Sequence, residues 1–307
     1  MEDLSRNLSE IMNRRHLNQR FDDLMTQVRQ DPEVQQFLQA HQAELAPDAL
    51  TRSAAKLYEF VQERQKLQRH ETTLAPGYEP QLIVNQHYVD VTYVPTEKLV
   101  AQRQAAALKN RVQAISMPKN IRSARLDQFY PENRVTALRL AADFVQAYVQ
   151  KPKSFHQGLY LYGSFGVGKT YLLGAIANEL ATYGFQSTLV HFPSFTVEMK
   201  GAIGENNLTE KLAAIKQAPI LMLDDIGADS ISSWSRDDIL GVILQYRMQE
   251  ELATFFSSNF SMQQLEQEHL TVTRGASEPL KAKRIMERIR FLSQEVKLVG
   301  RNRRQAP

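Results

Sequence analysis

Cysteine is absent from the 307 residues, which excludes disulfides, thiolate metal sites and cysteine nucleophiles. The absence fits a reducing compartment, and a cytoplasmic location is expected. Tryptophan occurs once, glycine 13 times and proline 12 times, too few for a collagenous or Pro/Gly-rich disordered chain. No apolar run reaches the roughly 18 residues that span a bilayer. The N-terminus, MEDLSRNLSE, lacks the basic-then-apolar order of a secretory signal, so no membrane association is expected. The seven histidines show no metal-ligand spacing. Neither sign of charge dominates, with 37 basic and 34 acidic side chains giving +3.

What is present is ordinary globular composition, 43% hydrophobic and 23% charged, over a length that suggests about two domains. The basic charge is unevenly placed. Residues 106–130 hold five basic side chains against one acidic, and residues 271–307 hold ten against three. Such blocks attract phosphates or acidic partners, or form a solvated helix face.

Residues 1–95 read as a small, mostly helical α+β domain. Phe21, Leu24, Met25 and Val28 recur at helical spacing. Asp31-Pro32 reads as an N-cap and first helical residue. Ala54, Leu57, Tyr58 and Val61 form one face of a helix predicted over 47–69. Two strands are predicted at 81–85 and 88–93, joined near Asn85-Gln86. Residues 96–125 read as a basic helical linker, a polar helix followed by a loop around Pro118. From 126 to 307 strand-like runs alternate with longer helical segments. The strands are expected at 158–162, 187–191, 220–223, 254–257 and 296–299. Such alternation predicts an α/β domain with a parallel sheet covered on both faces.

The strongest chemical signal is Gly163, Ser164, Phe165, Gly166, Val167, Gly168, Lys169 and Thr170. It has the P-loop spacing and lies between an apolar strand and a helix. Glycines expose backbone N–H groups to phosphate oxygens, and the helix N-terminus favours anions. Lys169 brings a point charge to the outer phosphates, and the Thr170 hydroxyl is suited to Mg²⁺. A second signal is Ile220-Leu-Met-Leu followed by Asp224 and Asp225. The apolar run reads as a buried central strand, whose carboxyl end is where ligands gather in an open α/β sheet. Asp224 is expected to hold the Mg²⁺ shell and Asp225 to polarise the attacking water. Aspartate is one methylene shorter than the glutamate common at this second position, so slow or partner-dependent turnover is expected. Asn259 ends another short strand, placed for the γ-phosphate or the water. Arg284 and Arg288 share one helix face, and Arg301, Arg303 and Arg304 follow the last strand. Arginine suits phosphate charge in cis or from a neighbouring subunit, and a solvated basic tail is the alternative. Trp234 reads as a buried helix-start anchor.

The stretches GLYLYGSFGVGKT, AIANELA, PILMLDDIGADS, TFFSSNFS and RIMERI, together with KLYEF and GYEPQLIVN near the N-terminus, resemble the AAA+ ATPases of the bacterial replicative-helicase loader group. Transposition-helper ATPases share the core motifs, and the N-terminal domain separates the two. The resemblance implies an AAA+ P-loop NTPase domain that binds ATP with Mg²⁺, binds single-stranded DNA and self-associates. It implies an N-terminal domain that binds the hexameric replicative helicase, with other primosome proteins as further partners. It assigns Lys169 and Thr170 to Walker A, Asp224 and Asp225 to Walker B, Asn259 to sensor 1, Arg288 to a trans-acting arginine finger with Arg284 beside it, and Arg303 to sensor 2, a register left open by its neighbours. Residues 193–216 fall where such proteins carry a DNA-touching insertion, with Lys200, Lys211 and Lys216 as its basic residues. Loader N-terminal domains can carry a Cys-rich zinc site between KLYEF and GYEP. Residues 61–75 hold no cysteine, and His70 alone falls short of three or four ligands. No zinc site is expected, and packing of the helix on the following hairpin is expected to take its place. Alternatives to loading are a transposition helper and an ATP-switched binding module with incidental hydrolysis. A metabolic P-loop kinase is disfavoured, because no acceptor site is evident.

Overall fold

The computed structural model describes residues 23, 25–202, 208–228, 232–273 and 276–303. By compactness the chain divides into two units, residues 1–104 and 105–307.

In the first unit, the Asp31 carboxylate accepts from the backbone N–H of Glu33 and Val34 and starts the helix Pro32–Ala40. Met25 and Val28 are buried; Phe21 and Leu24 lie outside the described residues. The helix Ala54–Gln68 buries Leu57, Phe60 and Val61. Tyr58, expected on that face, is 36% exposed, and Phe60 takes the inward position. Strands β1 (Tyr78–Asn85) and β2 (Tyr88–Pro95) pair antiparallel, Asn85 opposite Tyr88. Gln86 and His87 both have positive φ, 49° and 68°, as a two-residue turn matched to strand twist requires. Val34, Leu57, Phe60, Val61 and Val89 share one core. In the cysteine-free stretch the buried Glu63 carboxylate accepts from Leu74 N–H and Lys66 Nζ, each at 2.7 Å, tying the turn to the helix.

The stretch 96–125 is more ordered than a linker. It forms a helix, Glu97–Arg111, with no buried side chain, and then strand β3, Val112–Ile115. The division between units falls within this helix. Only four residues long and lying at a sheet edge, β3 carries little periodic signal. It pairs parallel with β5 (Ser187–His191). Strands β4 (Gly158–Tyr162), β6 (Ile220–Asp224) and β7 (Thr254–Ser258) lie where the sequence places them. A short antiparallel pair follows, β8 (Val272–Thr273) with β9 (Ala276–Ser277). The last strand, β10, spans Ser293–Lys297, three residues earlier at its start than its apolar residues suggest, because polar residues pair at this outer position.

The six parallel strands run in the order β10-β4-β7-β6-β5-β3. Every residue of β6 is buried. Its side chains alternate, as a pleated strand dictates. Leu221 and Leu223 share one core with Ile243, Ile285 and Ile289, while Ile220 and Met222 share the other with Phe144, Leu172 and Ile176. The sheet is thus sandwiched between helices, and its carboxyl edge stays open beside β6, β7 and the loop after β4.

Candidate nucleotide site

The loop after β4 opens the helix Lys169–Thr182. Gly163, Gly166 and Gly168 have φ of 149°, 74° and 98°, within the left-handed region that side chains disfavour. A Cβ at Gly166 would lie 1.8 Å from Asn302 Oδ1, and one at Gly163 would lie 2.2 Å from the Leu298 carbonyl. The segment after β10 therefore backs the loop. Leu298 N–H donates to Tyr162 O at 2.7 Å and Arg303 N–H to Gly166 O at 3.1 Å.

Lys169 lies within this loop, its Nζ donating to Gly163 O, Ser164 O and Asn259 Oδ1 at 2.8–2.9 Å. Thr170 Oγ1 donates to Asp224 Oδ1 at 2.8 Å. Ser257 Oγ donates to the same oxygen at 2.5 Å and accepts from Asp225 N–H at 3.0 Å. Burial pushes the Asp224 carboxyl above the ordinary carboxylate value, although both hydroxyls oppose the shift. Asp225 is left-handed, φ 61°. That conformation costs a non-glycine residue about 1–3 kcal/mol, and it turns the carboxylate out of the strand. Asn259 Nδ2 donates to Asp225 Oδ1 at 3.2 Å, and His191 Nε2 lies 3.9 Å from Oδ2. The Asn259 amide thus bridges Lys169 and Asp225.

Lys169, Thr170, His191, Asp224, Asp225 and Asn259 line a cleft of about 1200 Å³, ample for a nucleoside triphosphate. Its far wall comes from residues 116–134, including Met117, Phe129 and Tyr130. Ile121 anchors this wall by filling the space above Gly174, and Asn178 Nδ2 donates to the Ile121 and Ala124 carbonyls at 2.9 and 2.8 Å. The Arg303 guanidinium stacks over Tyr130 at 4.0 Å, facing the wall. Phe165 is 63% exposed at the tip of the loop.

The expected residues therefore separate into two groups. Phe165, Gly166, Gly168, Lys169 and Thr170 of the loop line one cleft with Asp224, Asp225, Asn259 and Arg303, whereas Gly163, Ser164 and Val167 are not among its lining residues. Arg288 is not among the residues lining it and donates to the Gly241 carbonyl at 2.9 Å. Arg284 and Arg301 are exposed, and Arg304 lies outside the described residues. In the candidate DNA segment, Lys211 pairs with Glu198 at 2.8 Å and Lys216 stacks over Tyr246 at 4.9 Å. Lys200 is exposed and 203–207 are outside the described residues. Three contributors escaped the motif search: Ser257, His191 and Arg134.

The donor set suits Mg²⁺, which keeps most of its water and takes one or two protein oxygens plus phosphate; the adjacent Thr170 hydroxyl and Asp224 carboxylate provide two. Among the described residues no cluster of three or more His, Cys, Asp or Glu could hold a metal by itself, and no helix is long and apolar enough to cross a membrane.

Comparison with known proteins finds relatives for both parts of the chain. Residues 1–93 match the family described as primosomal protein DnaI N-terminus, and residues 87–304 match IstB-like ATP binding protein. The replicative helicase loader DnaI of Bacillus subtilis (strain 168) is 36% identical, covering 99% of each chain. A crystal structure of DnaI is 48% identical, with TM-score 0.56 over 66% of this chain and 99% of that one. A candidate primosome component from Streptococcus pyogenes serotype M3 is 42% identical, with TM-score 0.53 over 64% and 98%.

Proposed function

The chain belongs to the DnaI family of replicative helicase loaders, and from that membership we propose that it is an ATP-dependent loader of the hexameric replicative helicase onto single-stranded DNA. The observation that carries this reading is the pairing, in one chain, of a DnaI-type N-terminal unit with a complete phosphate-binding cleft. The N-terminal unit docks the helicase. The second unit, an AAA+ ATPase, binds ATP and single-stranded DNA and associates with sister subunits.

In this reading the amides of residues 163–168 and the Lys169 ammonium hold the triphosphate, and Thr170 and Asp224 would hold Mg²⁺. The ion would supply charge neutralisation of the phosphates. Asp225 accepts the proton of the attacking water, and Asn259 fixes that carboxylate while reaching Lys169. The short Asp225 side chain, held by Asn259, fits weak turnover that rises with partners. Arg303 completes the cleft in cis. Arg288, away from its own cleft, serves that of a neighbour.

Capture of the purified replicative helicase by the full chain tests the reading. The wild type is expected to bind the helicase, and Lys169→Ala is expected to bind it while losing ATP-dependent transfer to single strands. Failure of the wild type to bind helicase in any nucleotide state would remove the loading function and favour a DNA-bound helper ATPase.

A further inference from the structure

Arg134 precedes the helix Val135–Gln150, with only 3% of its surface exposed. Two features of its position work against stability. A cation at a helix N-terminus opposes the helix dipole. A buried guanidinium also needs a carboxylate to offset desolvation, and none lies within ion-pair distance among the described residues. The neighbouring Glu132 approaches Arg303 instead, at 3.9 Å. Burial, and then the charge of Arg303, accordingly depress its pKa.

What Arg134 does engage is the phosphate loop. Its Nη1 donates to the Val167 carbonyl at 2.7 Å, its Nε to the Glu132 carbonyl at 3.3 Å, and its guanidinium stacks over Phe129 at 4.7 Å. A Cβ on Gly168 would lie 3.2 Å from Nη1. The guanidinium therefore sits directly against the Val167–Gly168 peptide, on a wall of the same cleft. A trans peptide sends its N–H opposite to its C=O. Holding the Val167 carbonyl fixes where the Gly168 N–H points, and a charge-assisted bond to that carbonyl polarises the N–H as a donor.

We propose that Arg134 is a positioning residue for the nucleotide, setting the Val167–Gly168 peptide and placing against it a positive charge whose counter-charge is the bound polyphosphate. The role rests on the nucleotide-binding reading above and adds a residue outside the phosphate-loop motif. It also joins the wall Phe129 belongs to with the loop that takes the phosphates, so both halves of the cleft are set by one side chain.

The test compares full-length wild type, Arg134→Gln and Arg134→Lys for ATP and ADP affinity with Mg²⁺, and for melting temperature without nucleotide. Arg134→Gln is expected to keep its nucleotide-free melting temperature, because the lost charge was unfavourable both to the helix and in its burial. It is expected to lose about tenfold to a hundredfold in affinity for both nucleotides, the size of a hydrogen bond to a charged group. Arg134→Lys, which restores charge without the planar stack, is expected to recover part of that loss. Wild-type affinity in Arg134→Gln would overturn the proposal alone. So would a large fall in nucleotide-free melting temperature shared by both variants, which would mark Arg134 as a plain structural staple. A wild type that binds neither nucleotide would overturn the underlying reading and this role together.

Discussion

Asn259 is the side chain that links Lys169 to Asp225 in the cleft. Its oxygen accepts from Lys169 and its nitrogen donates to Asp225, so under the proposed mechanism one amide would sense both the cation that holds phosphate and the carboxylate that activates water. Removing it frees Asp225 to rotate without removing any phosphate-loop group. Asn259→Ala is therefore expected to lower partner-stimulated turnover roughly 10²-fold, comparable to loss of one oriented donor, with ATP affinity changed only a few-fold. Phosphate release and nucleotide titration measure the two quantities separately, and an unchanged kcat would show that Asp225 is oriented by something else. The consecutive residues of the loop, and the acid pair after an apolar run, were legible because their spacing is local. Ser257, His191 and Arg134 were not, because other strands and a helix start bring them in. Parallel pairing of Leu223 with Phe256 puts Ser257 beside Asp224, a register that no local pattern announces.

Among the elements, the helix Ala54–Gln68 and the turn after it show how a short unit without cysteine is fastened. Desolvation opposes the charge on Glu63, but hydrogen bonds from Lys66 and the Leu74 N–H outweigh it and hold its pKa below the ordinary glutamate value. The folded state therefore prefers the carboxylate more strongly than the unfolded chain does. Its contribution is complete above the unfolded pKa and is lost as pH falls through the folded one. The melting temperature of the N-terminal unit is expected to drop on acidification below the glutamate range. Glu63→Gln is expected to lower it by roughly 4–8 °C at neutral pH, corresponding to about 1 kcal/mol in a unit of this size, and to weaken its acid dependence. Circular dichroism melts across pH check both, and parallel curves for the two proteins would count against the clasp. The sequence located the helix and the hairpin here, since capping and alternation are short-range signals. It missed β3, whose edge position demands no continuous apolar run, and it set β10 late because polar residues suffice at an outer strand. The π-helical turns at Ser235–Leu240 and Leu265–Leu270 likewise lack a distinct period.

On the scale of the whole molecule, each unit has its own buried core, and nucleotide chemistry belongs to one of them. Ligand that binds only the native cleft stabilises that unit by about 2.7 kcal/mol at a hundred times Kd. Calorimetry is expected to show Mg-ATP raising one unfolding transition and leaving the other in place, with the shift absent in Lys169→Ala. Equal movement of both would mean that the units unfold as one. The change from helical to alternating α/β pattern was readable because each unit buries its own apolar face. Where one unit gives way to the next was harder to read, because the helix Glu97–Arg111 buries no side chain and β3 follows it directly.

The backing of the phosphate loop has a further consequence for how the protein is made. Residues 163–170 leave the ribosome well before Leu298, Asn302 and Arg303, which contact the loop from behind. A nascent chain arrested between them would display the complete motif without its support. Competence to hold nucleotide is thus expected late in synthesis, after the N-terminal unit has had time to fold.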